Sequence, residues 1–190
     1  MTLLLALACA NPKVDTPVST VEACDSCGGV CQLDGTDAPS RNHTTDDLDY
    51  VLSPPMGGDH HPCWADWGIH AEELAPENWV HNLEHGGIVF LHAPDVPEAD
   101  VEALTAFVET RPGGRAVLSP WSRPMDLAGA KVAAVAWSRR LQLACVDLDA
   151  LGAFYDAWLG RGPEDTMMDP PAICTDTGGS EPADSGAGGR

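Results

Sequence analysis

The sequence predicts an α+β fold, a small antiparallel sheet with helices on one face, flanked by disordered N- and C-terminal tails. Two observations carry this. Between residues 46 and 174, stretches with apolar residues at helical spacing alternate with short β-branched runs. On either side the chain turns into Pro, Gly, Ser, Thr and Asp without any apolar period. The implied order is helix, β, α, β, β, α, which permits a ferredoxin-like arrangement.

Taken in order, Ser53-Pro54-Pro55-Met56-Gly57-Gly58 reads as a loop, since Pro and Gly break both helix and strand. Residues 76–85 form a short helix, with Pro76 suited to its first turn and Gly86-Gly87 to its end. Ile88-Val89-Phe90-Leu91 is a buried strand. Residues 97–109 place Val101, Leu104, Phe107 and Val108 on one helical face. Ala116-Val117-Leu118 is a short strand, and residues 131–143 give one or two strands around Trp137. Residues 148–159 return to helical spacing with Leu148, Leu151, Phe154, Tyr155 and Trp158.

The 190 residues bound one domain plus tails, and 44% hydrophobic content suffices for a core. The net charge is −19. Such a chain repels nucleic acid and anionic lipid surfaces, and its ten Lys and Arg form no stripe, so nucleic acid is set aside as a partner.

The start, Met-Thr-Leu-Leu-Leu-Ala-Leu-Ala-Cys, is too short to span a bilayer and reads as a secretory signal over residues 1–9. Small residues before Cys9 resemble a bacterial lipoprotein cleavage site, with Ala6 where Leu is expected. Cys9 is therefore the candidate for lipidation and the means of membrane attachment. Six cysteines then remain: Cys24, Cys27, Cys31, Cys63, Cys145 and Cys174. An even number in an exported chain reads as disulfides, whose pairing among fifteen possibilities stays open. Long-range staples from the Cys24–Cys31 group to the others would tie the tails to the core. Residues 10–45 read as a Cys-containing linker, and 175–190 as a disordered tail.

Five of seven histidines fall between His60 and His85. On a helix His81 and His85 lie one turn apart on one face, where two imidazoles can share a metal ion. Glu84 can ligate, or orient a histidine from behind. His60 stands in a Gly/Pro loop able to bend toward the helix. The candidate metal ligands are thus His60, His81, His85 and Glu84, and the ion copper or zinc. Two other readings stand beside this one: a structural hydrogen-bond network closed by Trp64, Trp67 and Trp79, and a catalytic metal site. The letters H-x-x-E-H over His81–His85 match the inverted zinc-peptidase signature. Those enzymes carry the motif inside a long helix, whereas Gly86-Gly87 ends this one at once. No residue is assigned as catalytic: Ser119 and Ser122 have no evident base, and no phosphate-binding loop, dinucleotide fingerprint or G-x-S-x-G elbow occurs. Cys24-x-x-Cys27 lies outside any strand-to-helix setting and reads as structural.

The order Pro54-Pro55-x-Gly57-Gly58-x-His60, Trp64-x-x-Trp67-Gly68, then Glu77-Asn78-x-Val80-His81-x-Leu83-Glu84-His85-Gly86-Gly87 resembles the bacterial domain-of-unknown-function 3105 family. Val117-Leu118-Ser119-Pro120-Trp121 and Val135-Ala136-Trp137-Ser138 resemble two later segments of its pattern. The likeness covers roughly residues 50–160. Met56-Gly57 replaces Thr-Ser of the pattern, Asp59 replaces Pro, and Ser138 replaces Gly. His60, His81, Glu84 and His85 all fall on the family's own positions. His61 and His70 fall where it usually carries aromatics and are not chosen. The resemblance implies an exported or membrane-anchored protein and supplies no activity. Three functions follow: an envelope protein holding a metal, an envelope domain acting through contacts with other proteins, and a metal-dependent hydrolase or oxidoreductase.

Overall fold

In a computed structural model, the structure describes residues 22–23, 25–36, 39–111 and 114–164. One seven-stranded sheet runs through it in the order β1-β2-β7-β6-β4-β5-β3. The strands are β1 (Glu22–Ala23), β2 (Cys31–Gly35), β3 (Gly68–Ile69), β4 (Ile88–His92), β5 (Ala116–Pro120), β6 (Val132–Ala136) and β7 (Arg139–Leu143). Three α-helices accompany them among the described residues: α1 (Pro76–Glu84), α2 (Glu98–Glu109) and α3 (Leu148–Trp158).

The α+β class and the order of elements from α1 onward are as the sequence predicts, with three short strands preceding them. Three finer expectations are corrected. First, the sheet is mixed. β4 pairs antiparallel with β6 but parallel with β5, and β3 also joins β5 in parallel. The cause is α2, which carries the chain back across the sheet between β4 and β5, as a parallel pair requires. Consecutive strands are thereby parallel neighbours, which is not the ferredoxin-like order.

Second, the helices lie on both faces. Ile88 and Phe90 of β4 point into a core with Leu104 and Phe107 of α2 and Leu151, Phe154 and Tyr155 of α3. Val89 and Leu91 point the other way, into a core with Trp79, Val80 and Leu83 of α1 and with Trp121 and Trp137. The period of two explains the continuous apolar run in β4: a strand covered on both faces has no polar side.

Third, part of the stretch read as linker belongs to the sheet. β2 pairs with β7 over five residues, and β1 with β2 over two. In Cys-Gln-Leu-Asp-Gly the burial does not follow the apolar residues, because Asp34 is buried against a cation while Leu33 is only partly covered. Arg140 of β7 donates to Asp34 Oδ2 at 2.6 Å, to Asp126 Oδ2 at 2.9 Å and to the Pro54 carbonyl at 2.7 Å. That fork ties the outer strand to the Pro54-Pro55 loop.

Residues 131–143 form two strands joined by Trp137-Ser138. Ser138 sits at φ +62°, the left-handed region that glycine enters most easily. This accounts for the glycine of the family pattern there.

Cys27 is bonded to Cys145, a staple between the N-terminal segment and the start of α3. Cys31 and Cys63 are disulfide-bonded as well. Cys9, Cys24 and Cys174 lie outside the described residues, as do the signal segment and the tail of 175–190.

Candidate metal centre

The site is built at the C-terminal end of α1. Pro76 occupies the first turn, and Gly86-Gly87 closes the last. Gly86, at φ +76°, donates its N–H to the Leu83 carbonyl at 2.9 Å, and Gly87 donates to that of Asn82 at 2.8 Å. This is the Schellman cap, which needs a left-handed residue after the helix. Asn82 fixes the neighbouring loop: its side chain accepts from the Ala65 N–H at 2.9 Å and donates to the Ala65 carbonyl at 2.8 Å. The helical rise then sets His81, Glu84 and His85 at one end, facing two loops.

The first loop carries His60. Its Nδ1–H donates to the Gly58 carbonyl at 2.8 Å, and its Nε2 lies 3.0 Å from Glu84 Oε2. The second carries His43, brought in by a parallel bridge between residues 43 and 60. Thr44 N–H donates to the His60 carbonyl at 2.9 Å and His60 N–H to that of Asn42 at 3.0 Å. Asp59 secures the bridge by accepting from Asn42 N and Nδ2. Hydrogen bonds from Ser40 and Asn42 hold the Asp59 carboxyl below its usual range.

His43, His60, His81 and Glu84 each offer one ligand atom, and all four atoms lie within 4.8 Å of one another. His43 Nε2 and His81 Nε2 are 3.9 and 4.0 Å from Glu84 Oε2. Metal–nitrogen bonds of about 2.0–2.1 Å put tetrahedral ligands about 3.3–3.4 Å apart, so small side-chain adjustments would bring this set onto one ion. The residues fit a metal ion and can hold one.

Electrostatics favour the same reading. Glu84 is 1% exposed, and its Oε1 is buried without a hydrogen-bond partner. A buried carboxylate is costly unless a cation or donors satisfy it. His60 Nε2 stands within hydrogen-bond distance of Oε2, so Oε1 is the oxygen left unsatisfied. Partners on Nδ1 decide which nitrogen carries the proton. His60 gives its Nδ1–H to Gly58 and His81 gives its own to the His61 carbonyl at 2.9 Å. Both rings therefore turn Nε2 toward Glu84. His85 donates Nδ1–H to the Glu164 carbonyl at 3.1 Å, and its Nε2 lies 3.0 Å from His81 Nε2. Burial, then the charges of His60 and His85, push His81 down to about 3, so its ring is neutral at neutral pH. Burial also lowers His85. Ring nitrogens gathered around a buried carboxylate can share a cation with it.

Of the predicted ligands, the structure brings His60, His81 and Glu84 into one group. His85 touches His81 but belongs with Glu84 and Glu164 in a second group. His43 was missed in the sequence, where it stands among polar residues with no motif around it. Glu164 was missed for the same reason. His61 turns its Nδ1 to the Cys63 N–H, and His70 its Nε2 to the Asp66 carbonyl, so neither joins the cluster. Trp64 lies edge-on against His81 and His85, at 5.3 and 4.6 Å between ring centres. Trp67 packs at the margin of the same core, and Trp79 is wholly buried beneath it. The cluster meets solvent at His43 and Arg41, whose side chains are about half exposed.

A family model described as a protein of unknown function, DUF3105, matches residues 42–170, more than half of the chain. The match begins one residue before His43 and includes the whole cluster. No curated protein and no solved structure matches.

Proposed function

Given that the chain belongs to the DUF3105 family, whose description assigns no activity, we propose that it is an exported cell-envelope protein that binds a transition-metal ion. His43, His60, His81 and Glu84 hold the ion. One observation carries this reading: a buried carboxylate, with one oxygen lacking a hydrogen-bond partner, faces imidazoles whose Nε2 atoms point inward.

The donor set is three nitrogens and one oxygen, without thiolate or thioether. Such a set suits zinc or copper(II) and disfavours copper(I). Opening on the side of His43 makes the ion exchangeable. Among the described residues no nucleophile–base pair stands beside the cluster, and the proposed role is binding. Export is supported by the Cys27–Cys145 disulfide, since such bonds persist in oxidising compartments. Attachment to a membrane would come through lipid on Cys9. No helix among the described residues is long and apolar enough to cross one. Envelope proteins that receive or deliver the ion would be its partners.

The test is metal analysis of the purified full chain with its disulfides formed. Reconstitution with zinc or copper(II) is expected to give tightly bound metal that is lost in His60→Ala and His81→Ala. Circular dichroism confirms that both variants fold. Wild-type protein that stays metal-free would overturn the reading in favour of a buried His60–Glu84 ion pair.

A further inference from the structure

The two oxygens of Glu84 face different surroundings. Oε2 lies on the side of His60, His43 and His81. Oε1, buried and without a hydrogen-bond partner, lies 4.0 Å from Arg41 NH1. That same guanidine nitrogen is 3.3 Å from Glu164 Oε1. Glu164 is tied to the end of α1 by its own backbone, its N–H donating to the Glu84 carbonyl at 3.0 Å. Its carbonyl accepts from His85 Nδ1–H. Glu84, His85 and Glu164 thereby form a second group whose ligand atoms all lie within 4.8 Å of one another.

We infer that the centre is dinuclear, with Glu84 bridging two divalent cations. Oε2 serves the ion held by His43, His60 and His81. Oε1 serves a second ion held by His85 and Glu164. The inference rests on the metal-binding reading above and extends it. Three features support it. Glu84 belongs to both ligand groups, and a shared carboxylate can bridge a two-metal site, where ions stand about 3.5–4 Å apart. His85 Nε2 is only 3.0 Å from His81 Nε2, so ions bound to the two rings would be neighbours. Arg41, half exposed, already places positive charge between Glu84 and Glu164, which shows that this position favours a cation. Its long side chain can swing into solvent when an ion takes over. The second ion sees two carboxylates and one imidazole. It is harder in character than the first and suits zinc, cobalt or manganese.

The experiment titrates the metal-free, oxidised full chain with zinc, counting bound ions by mass spectrometry, and repeats the titration with cobalt(II). Two zinc ions per chain are expected for the wild type and one for Glu164→Gln. Glu164 has a half-exposed side chain, so this change leaves the core intact. With cobalt, the paramagnetic resonance signal per ion should fall between the first and second equivalents as the ions couple. A single zinc in the wild type overturns the dinuclear inference and leaves the mononuclear reading standing, whereas none overturns both. Two zinc ions retained by Glu164→Gln also overturn it, because the second would then sit on the acidic surface.

Discussion

Gly86→Ala tests how the end of α1 holds the site together. Two costs are separable in the structure. Gly86 has φ +76°, and a side chain in the left-handed region costs about 1–2 kcal/mol. A Cβ there would also stand 2.8 Å from Gly160 Cα and 3.0 Å from its carbonyl carbon. These are backbone atoms and cannot rotate away, so the 160–164 segment must shift, at about 1–3 kcal/mol for such overpacking. The total is about 2–5 kcal/mol. Gly114→Ala supplies the control, because Gly114 has φ +62° with nothing within 4 Å of the added carbon. It should lose only the conformational part. Urea unfolding of both variants, with disulfides intact, measures the difference directly. The shift also strains the bond from Gly160 N–H to the Gly86 carbonyl, 2.8 Å, and carries Glu164 away from Glu84. Zinc held by His85 and Glu164 should therefore weaken before zinc held by His43, His60 and His81. Equal losses in the two variants would refute the reasoning, since the close approach to Gly160 would then carry no cost.

Three further outcomes are expected. Arg140→Leu removes the buried cation shared by Asp34, Asp126 and the Pro54 carbonyl and leaves Asp34 buried without it, which should cost about 3–5 kcal/mol in urea unfolding. In metal-free protein, His81 is held down to about 3 by burial, whereas its unfolded value is near 6.5. The unfolded chain then binds a proton that the folded one refuses, so stability is full above pH 6.5 and falls as the pH drops toward 3. Urea midpoints between pH 7 and pH 5 should decline in the wild type and decline less in His81→Ala. Replacing Cys27 and Cys145 together by Ala opens a cross-link spanning 118 residues and should cost about 2–5 kcal/mol, read by the same unfolding experiment against the oxidised parent.

Much of this was legible in the residues. The spacing of His81, Glu84 and His85 put three polar side chains on one helical end, and Gly86-Gly87 placed that end correctly, because the Schellman cap is a local structure with a local signal. The core helices were equally clear, since Leu104, Phe107, Leu151 and Phe154 repeat at helical period. His43 left no comparable trace. It reaches the cluster through a single parallel bridge to His60, and a bridge between distant segments has no period to read. The same holds for β2, whose buried Asp34 looks like a linker residue until Arg140 is set beside it.

The sequence by itself determined the α+β class, the ends of the helices, the family pattern and three of the four residues that meet in the His43–His60–His81–Glu84 cluster. These depend on interactions within a few residues of one another. Only the tertiary structure decided the mixed sheet, the placing of α1 on the face opposite α2 and α3, the entry of His43 and Glu164, and the parting of His85 from His60. Those outcomes rest on contacts between segments far apart in the chain. Their energies come from burial and charge pairing that no single segment contains. Glu84 joins the two scales: its place on α1 is local, while His43, His60 and Glu164 reach it on segments that arrive from elsewhere.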